Sequence, residues 1–182
     1  MTCVAGITED GVVYLAGDSA LTGEDGHIYV GKRAKVFRNG EIIIGNSGSI
    51  RIPQLLEYAD LPAVTEPIER YMVKEFVPAL KKILKDDDQK ADDPMDGSAF
   101  LVGVRGHLFI IYNDFQVSES DLDYHAIGSA GEVALGSLHT TRWSDLLPIK
   151  RLQRALDASR AHNYTVREPF IFVQTLKEDE KL

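Results

Sequence analysis

The chain has 182 residues, the size of one ordinary domain, and its 44% hydrophobic content is enough for a real core. A formal net charge of -8 argues against a nucleic-acid or anionic-membrane partner, and no apolar run reaches the ~18 residues that a membrane span needs. With one cysteine, Cys3, no internal disulfide can form; with no basic-then-apolar leader either, the expected setting is a reducing cytoplasm.

Residues 2–8 and 12–17 read as two strands joined by an Asp10-Gly11 turn, apolar on both faces and so expected to be covered on both. Asp18 closes the second strand. Residues 19–31, rich in Gly, Ser, Thr and Asp, read as a loop. Residues 34–38 and 41–46 form a second hairpin around Asn39-Gly40, and Ser47-Gly48-Ser49 breaks the pattern before a helix near 50–59. Thr65-Glu66-Pro67 reads as a helix start, with a capping residue, an acid and a first-turn proline. Ile68, Tyr71, Met72, Phe76, Leu80, Ile83 and Leu84 then recur at helical spacing to about residue 85. The acidic stretch 86–96 lacks the spacing of a calcium loop and is expected to be an exposed loop. Residues 98–104 and 107–112 form a third hairpin, followed by short strands near 115–117 and 124–128. Ser129 caps a helix to about 141. Pro148 opens another to about 162, with Leu152, Ala155, Leu156 and Ser159 on one face. Residues 170–173 are the closing strand, ahead of a charged tail. Hairpins rather than crossovers join the early strands. The expected fold is therefore α+β, a four-layer αββα sandwich of two antiparallel sheets flanked by helices, in one domain spanning 1–182.

The chemistry centres on the chain start. Met1 precedes a small residue, so its removal would leave Thr2 with a free α-amine. Thr2 would then carry a nucleophile and a base together: Oγ attacks a carbonyl while the amine, of ordinary pKa about 7.7–8.0, takes its proton directly or through water. The plain alternative is the second residue of an edge strand. Lys35 lies between Ala34 and Val36 in an apolar strand, where an ammonium needs a partner; Asp18 would supply it, and near a hydroxyl the ammonium would favour the alkoxide. Otherwise Lys35 is an edge-strand or solvated lysine. Gly48 is either an oxyanion donor through its N–H or a plain loop glycine. Ser129 is a helix cap or a member of a proton relay. Cys3 would become a thiol nucleophile only if Thr2 were also trimmed. His27, His107, His125, His139 and His162 show no metal-ligand spacing with one another or with Cys3, the glycine-rich stretches lack the phosphate-loop pattern, and neither metal nor cofactor is expected. Trp143 is assigned to the core or an interface.

Five segments, Thr2-Cys3-Val4-Ala5-Gly6, Val13 to Ser19, Ala34-Lys35-Val36, Ile44 to Ser49 and Ala126 to Gly131, follow one another as they do in proteasome β-type subunits. The chain resembles that family of N-terminal nucleophile hydrolases, and within it the short bacterial forms, such as the peptidase of the bacterial two-component ATP-dependent protease, and small proteasome-like proteins of bacteria and phages. The resemblance implies a Thr2 nucleophile, an Asp18–Lys35 pair that tunes it, an oxyanion donor at the Gly48 N–H and Ser129 near the amine. It also implies a threonine-type endopeptidase in stacked homo-oligomeric rings, fed with unfolded polypeptide by a separate ATP-driven unfoldase. A small-molecule amidase on the same scaffold, or an inert ring-forming assembly protein, are the other readings it allows. The chain departs from the family pattern after the last long helix: where family members carry an Arg-Asp and a Ser-Gly pair, residues 161–169 offer no clear aspartate.

Overall fold

The computed structural model describes residues 2–23, 25–86 and 97–176. Most of the 86–96 stretch and the charged tail expected after the last strand therefore lie outside the described residues.

Strands β1 (Val4–Glu9) and β2 (Val12–Gly17) form the expected hairpin, and the turn residue Asp10 takes a φ of 50° beside Gly11 at 73°. In the region read as a loop, β3 (Ala20–Thr22) and β4 (Ile28–Val30) make a short hairpin of their own. Its polar composition hid one run of strand formers, Ile-Tyr-Val, which pairs with Ala-Leu-Thr across a turn in which the Gly26 N–H bonds the Gly23 carbonyl at 3.0 Å. Strands β5 (Val36–Asn39) and β6 (Ile42–Ser47) follow, so Lys35 stands just before its strand rather than inside it. Strands β7 (Ala99–Val104), β8 (His107–Ile111), β9 (Val117–Glu119), β10 (Tyr124–Ile127) and β11 (Ile171–Gln174) complete the sheets. The strand expected near 115–117 is β9, and it starts later because Phe115 has a φ of 67°.

The first helix is α1 (Arg51–Glu57). The long amphipathic helix runs as α2 (Ile68–Tyr71), a π-helical turn over Met72–Phe76, and α3 (Val77–Asp86). Pro78 accounts for the wide turn: it has no N–H to return to the Lys74 carbonyl, and the ladder is re-routed ahead of it. The expected Thr65 cap is not made; Pro67 occupies the capping position and the Thr65 hydroxyl bonds Glu75 at 3.1 Å instead. Helices α4 (Gly131–Thr140) and α5 (Pro148–His162) match the reading, the latter opened by Pro148 in its first turn.

Two antiparallel sheets stack, one in the order β10-β1-β2-β11 and the other β5-β6-β7-β8-β9. Three apolar seams hold four layers together. Val4, Val13, Leu15, Ile43, Leu101 and Ile110 fill the space between the sheets. Ile44, Ile52, Tyr71, Phe76, Leu80, Phe100 and Phe109 join the five-stranded sheet to α1–α3. Cys3, Ala5, Ala16, Leu138, Leu152 and Leu156 join the four-stranded sheet to α4 and α5. This is the expected αββα sandwich. Its β1 lies between β10 and β2, so Thr2 leads into an inner strand, not an edge strand. Trp143 is not core: it is 85% exposed in the turn after α4, with the Arg142 guanidinium 4.8 Å from its ring centre. Among the described residues no helix is long and apolar enough to cross a membrane.

Candidate functional site

The start of β1, the end of β2 and the entry to β5 converge at one end of the sandwich. Asp18, the residue after β2, is fully buried, and its carboxylate is surrounded by donors. Oδ1 accepts the Cys3 N–H at 2.9 Å and the Lys35 ammonium at 2.8 Å. Oδ2 accepts the Ala20 N–H at 2.9 Å and the Arg167 N–H at 3.5 Å. A buried carboxylate needs such partners, and the placement explains why a charged residue stands at the end of an apolar strand. Lys35 is only 9% exposed. Burial pulls its ammonium below the usual lysine range, and the adjoining Asp18 charge and hydrogen bond oppose that pull. The anticipated pair is therefore formed, and the solvated alternative for Lys35 is ruled out.

Thr2 is 5% exposed and lines a cleft partly open to solvent, together with Lys35 and Gly48. Its neighbour Cys3 and Lys35 are each one hydrogen bond from the same Asp18 oxygen. On its other side the Thr2 N–H donates to Ser129 Oγ at 3.3 Å, and the Thr2 carbonyl accepts the Ala130 N–H at 3.3 Å. Ser129 is therefore not the expected helix cap: Ala130 occupies that position, no side chain caps α4, and the Ser129 hydroxyl turns to Thr2.

Two glycines shape the cleft. Gly48 has a φ of 111°, and a Cβ there would fall 2.7 Å from Ser98 Cα. Its N–H finds no acceptor among the described residues. Gly128 has a φ of 95°, and a Cβ there would press onto the Thr2 carbonyl, 2.7 Å from its carbon. Both conformations are ones that residues with a side chain rarely adopt.

All five candidate residues, Thr2, Asp18, Lys35, Gly48 and Ser129, thus meet in one region. Sequence reasoning missed Arg167, which serves Asp18 through its main chain and leaves no side-chain signature. It also missed Asn46 and Arg33, which line the cleft; Arg33 is ion-paired with Glu57 of α1. Segment 163–169 contributes backbone rather than a carboxylate: Arg167 O accepts the Ser19 N–H at 3.0 Å, Pro169 O accepts the Ser19 hydroxyl at 2.5 Å, and Asn163 Oδ1 holds the Thr165 N–H at 3.0 Å. Cys3 is buried behind Thr2, and burial pushes its thiol up to about 11, so it stays protonated and a poor nucleophile. Among the described residues no cluster of three His, Cys, Asp or Glu could hold a metal ion.

No protein-family model matches the chain, and no curated protein does. Solved structures do. BPH of Thiobacillus denitrificans, in a complex with epoxomicin, superposes with a TM-score of 0.79 at 17% identity over 96% of this chain and 98% of that one. HslV of Trypanosoma brucei gives 0.70 at 18% identity over 95% and 98%. Anbu, an ancestral beta-subunit from Yersinia bercovieri, gives 0.68 at 16% identity over 96% and 81%. The chain has the N-terminal nucleophile hydrolase fold of these proteasome-like proteins.

Proposed function

We propose that the chain is an N-terminal threonine peptidase, the proteasome-like subunit of a self-compartmentalised cytoplasmic ring protease that degrades unfolded polypeptide delivered by an ATP-driven unfoldase. One observation carries the reading: a fully buried carboxylate, Asp18, binds both the residue after Thr2 and the Lys35 ammonium, at 2.9 and 2.8 Å. A sandwich of this size gains nothing in packing from burying that charge pair. A lysine held beside a hydroxyl-lined cleft gives the pair a chemical use.

With Met1 removed, the Thr2 amine accepts the Oγ proton as Oγ bonds to the substrate carbonyl carbon. The oxyanion that forms is stabilised by the Gly48 N–H, and the Lys35 charge favours the ionised Oγ. The C–N bond then breaks, the Thr2 ammonium protonates the leaving amine, and an ester to Thr2 remains. Water, deprotonated by the same amine, attacks the ester and restores the hydroxyl. Ser129 orients the amine throughout.

The test is mass spectrometry of the native protein and of its reaction with epoxomicin, the compound bound in the structure of BPH from Thiobacillus denitrificans. A ring assembly beginning at Thr2, an adduct on Thr2 and cleavage of peptide reporters are expected. Retained Met1 or an unmodified Thr2 would overturn the reading in favour of an inert assembly protein. An adduct without peptide cleavage would favour a small-molecule amidase.

A further inference from the structure

Ser159, on α5, takes no part in the mechanism above, yet it is fully buried and ties together the segments that meet at Thr2. Its hydroxyl donates to the Ala130 carbonyl at 3.0 Å. It accepts the Cys3 thiol proton at 3.4 Å, whereas that thiol's other acceptor, the Ala130 carbonyl, lies farther away at 3.9 Å. Because the thiol stays protonated, the chain of bonds has one direction: Cys3 S–H to Ser159, and Ser159 O–H to Ala130. Ala130 in turn gives its N–H to the Thr2 carbonyl, and the turn closes on itself through the Gly131 N–H to Gly128 O at 2.9 Å. Ser129, inside that turn, meets the Thr2 nitrogen.

The turn over residues 128–131 is thus pinned to Thr2 on one side and to a helix hydroxyl on the other. Among the described residues no carboxylate is hydrogen-bonded to the Thr2 nitrogen or to Ser129 Oγ. The position of the Ser129 hydroxyl is therefore set by the turn, and on the helix side the side chain that holds the turn is Ser159. Given the reading of Thr2 as an N-terminal nucleophile, we propose that Ser159 is a positioning residue: it clamps the Ala130 carbonyl and so holds the Ser129 hydroxyl against the Thr2 amine.

The test compares the mature protein with Ser159→Ala, Ser159→Cys, Ser129→Ala and the Ser159→Ala/Ser129→Ala double variant. One readout is the pH dependence of acylation of the Thr2 α-amine by a small anhydride, which needs no turnover. The other is kcat and KM on a peptide reporter. Ser159→Ala should shift the amine's pH profile in the same sense as Ser129→Ala. It should lower kcat about tenfold, part of the ~10²–10⁴ that positioned proton transfer contributes, with KM within about twofold. Added to Ser129→Ala it should change neither readout further, because its effect runs through that hydroxyl. Ser159→Cys, which keeps the volume and a weak donor, should fall in between, and it decides the matter should the alanine variant not fold. The proposal is overturned if the amine profile of either Ser159 variant matches the wild type, or if Ser159→Ala costs as much with Ser129 absent as with it present. A wild type that neither cleaves peptides nor takes the inhibitor would sink the peptidase reading alone, since the amine profiles still judge the clamp.

Discussion

Asp18→Asn is the substitution whose consequences the structure constrains most tightly. The carboxylate has four acceptor positions and four donors: Cys3 N–H and Lys35 Nζ on Oδ1, Ala20 N–H and Arg167 N–H on Oδ2. An amide turned either way points an NH₂ at two donors, and the buried Lys35 loses its counter-charge. Breaking a buried pair from one side costs about 3–5 kcal/mol. For a chain of this length each kcal/mol moves the melting temperature by about 2–4 °C, so a fall of roughly 6–20 °C is expected. Lys35→Met should cost less. The carboxylate keeps three main-chain donors, and the loss approaches one charge-assisted hydrogen bond, about 1.5–3 kcal/mol. Thermal and urea melts of the two variants at neutral pH would check the order, and inhibitor labelling of Thr2 should fail in both. A melting point for Asp18→Asn within about 2 °C of wild type, or a costlier Lys35→Met, would refute the reasoning.

Four further outcomes are expected. Thr2→Ala should fold and melt within a few degrees of wild type yet take no inhibitor, as intact-mass measurement would show; an adduct elsewhere at full yield would contradict the assignment. Gly128→Ala should be the more damaging glycine change for activity, because its Cβ displaces the Thr2 carbonyl. Gly48→Ala should strain the turn against Ser98 at a cost of about 1–3 kcal/mol, and slow acylation more than binding; unchanged peptide kinetics in either would count against the cleft geometry. For Cys3 the sign follows from the proton count. The unfolded thiol ionises near 9.0 and the folded one only near 11, so between those values the folded state holds the extra proton and stability falls as pH rises, by about 1.4 kcal/mol per unit. Lys35, held below its ordinary 10.5, acts in the opposite sense, but in both proteins. Urea midpoints from pH 8 to 11 should therefore fall more steeply for wild type than for Cys3→Ala, and parallel curves would show the assignment to be wrong.

The layers were legible in the sequence because each strand of the two sheets is apolar on faces that the fold covers, and because Asp10-Gly11, Asn39-Gly40 and Pro148 punctuate the chain as turn and helix-start chemistry requires. The β3–β4 hairpin was not: an Asp25-Gly26 pair marks its turn, but its strands are only three residues long and the polar stretch around them reads as loop. Ser129 shows a second kind of limit. A serine before a helix reads as a cap from local pattern alone, and only a partner 127 residues away re-aims its hydroxyl. Ser159 shows the same thing from a helix: spacing puts it on the packed face with Leu152 and Leu156, and spacing cannot say that its oxygen finds a carbonyl there.

Side chains and main chain divide the site between them. The side chains to which the proposed chemistry is assigned stand out in the sequence, a charge in an apolar run or a threonine that follows Met1. The groups that fix their geometry are backbone N–H and C=O of Cys3, Ala20, Ala130 and Arg167, which any residue type but proline supplies. They come from the start of β1, the end of β2, the turn before α4 and the segment before β11, so Asp18 and Thr2 reach full coordination only when both ends of the chain have docked. Any residue but proline at position 167 can thus keep the bond to Asp18. On the proposed reading, the lack of a clear aspartate in residues 161–169 and the Asp18–Lys35 couple are consistent: the backbone of 163–169 completes the carboxylate's shell, and the proposed Thr2 amine is left to the Ser129 hydroxyl, whose place we propose Ser159 secures.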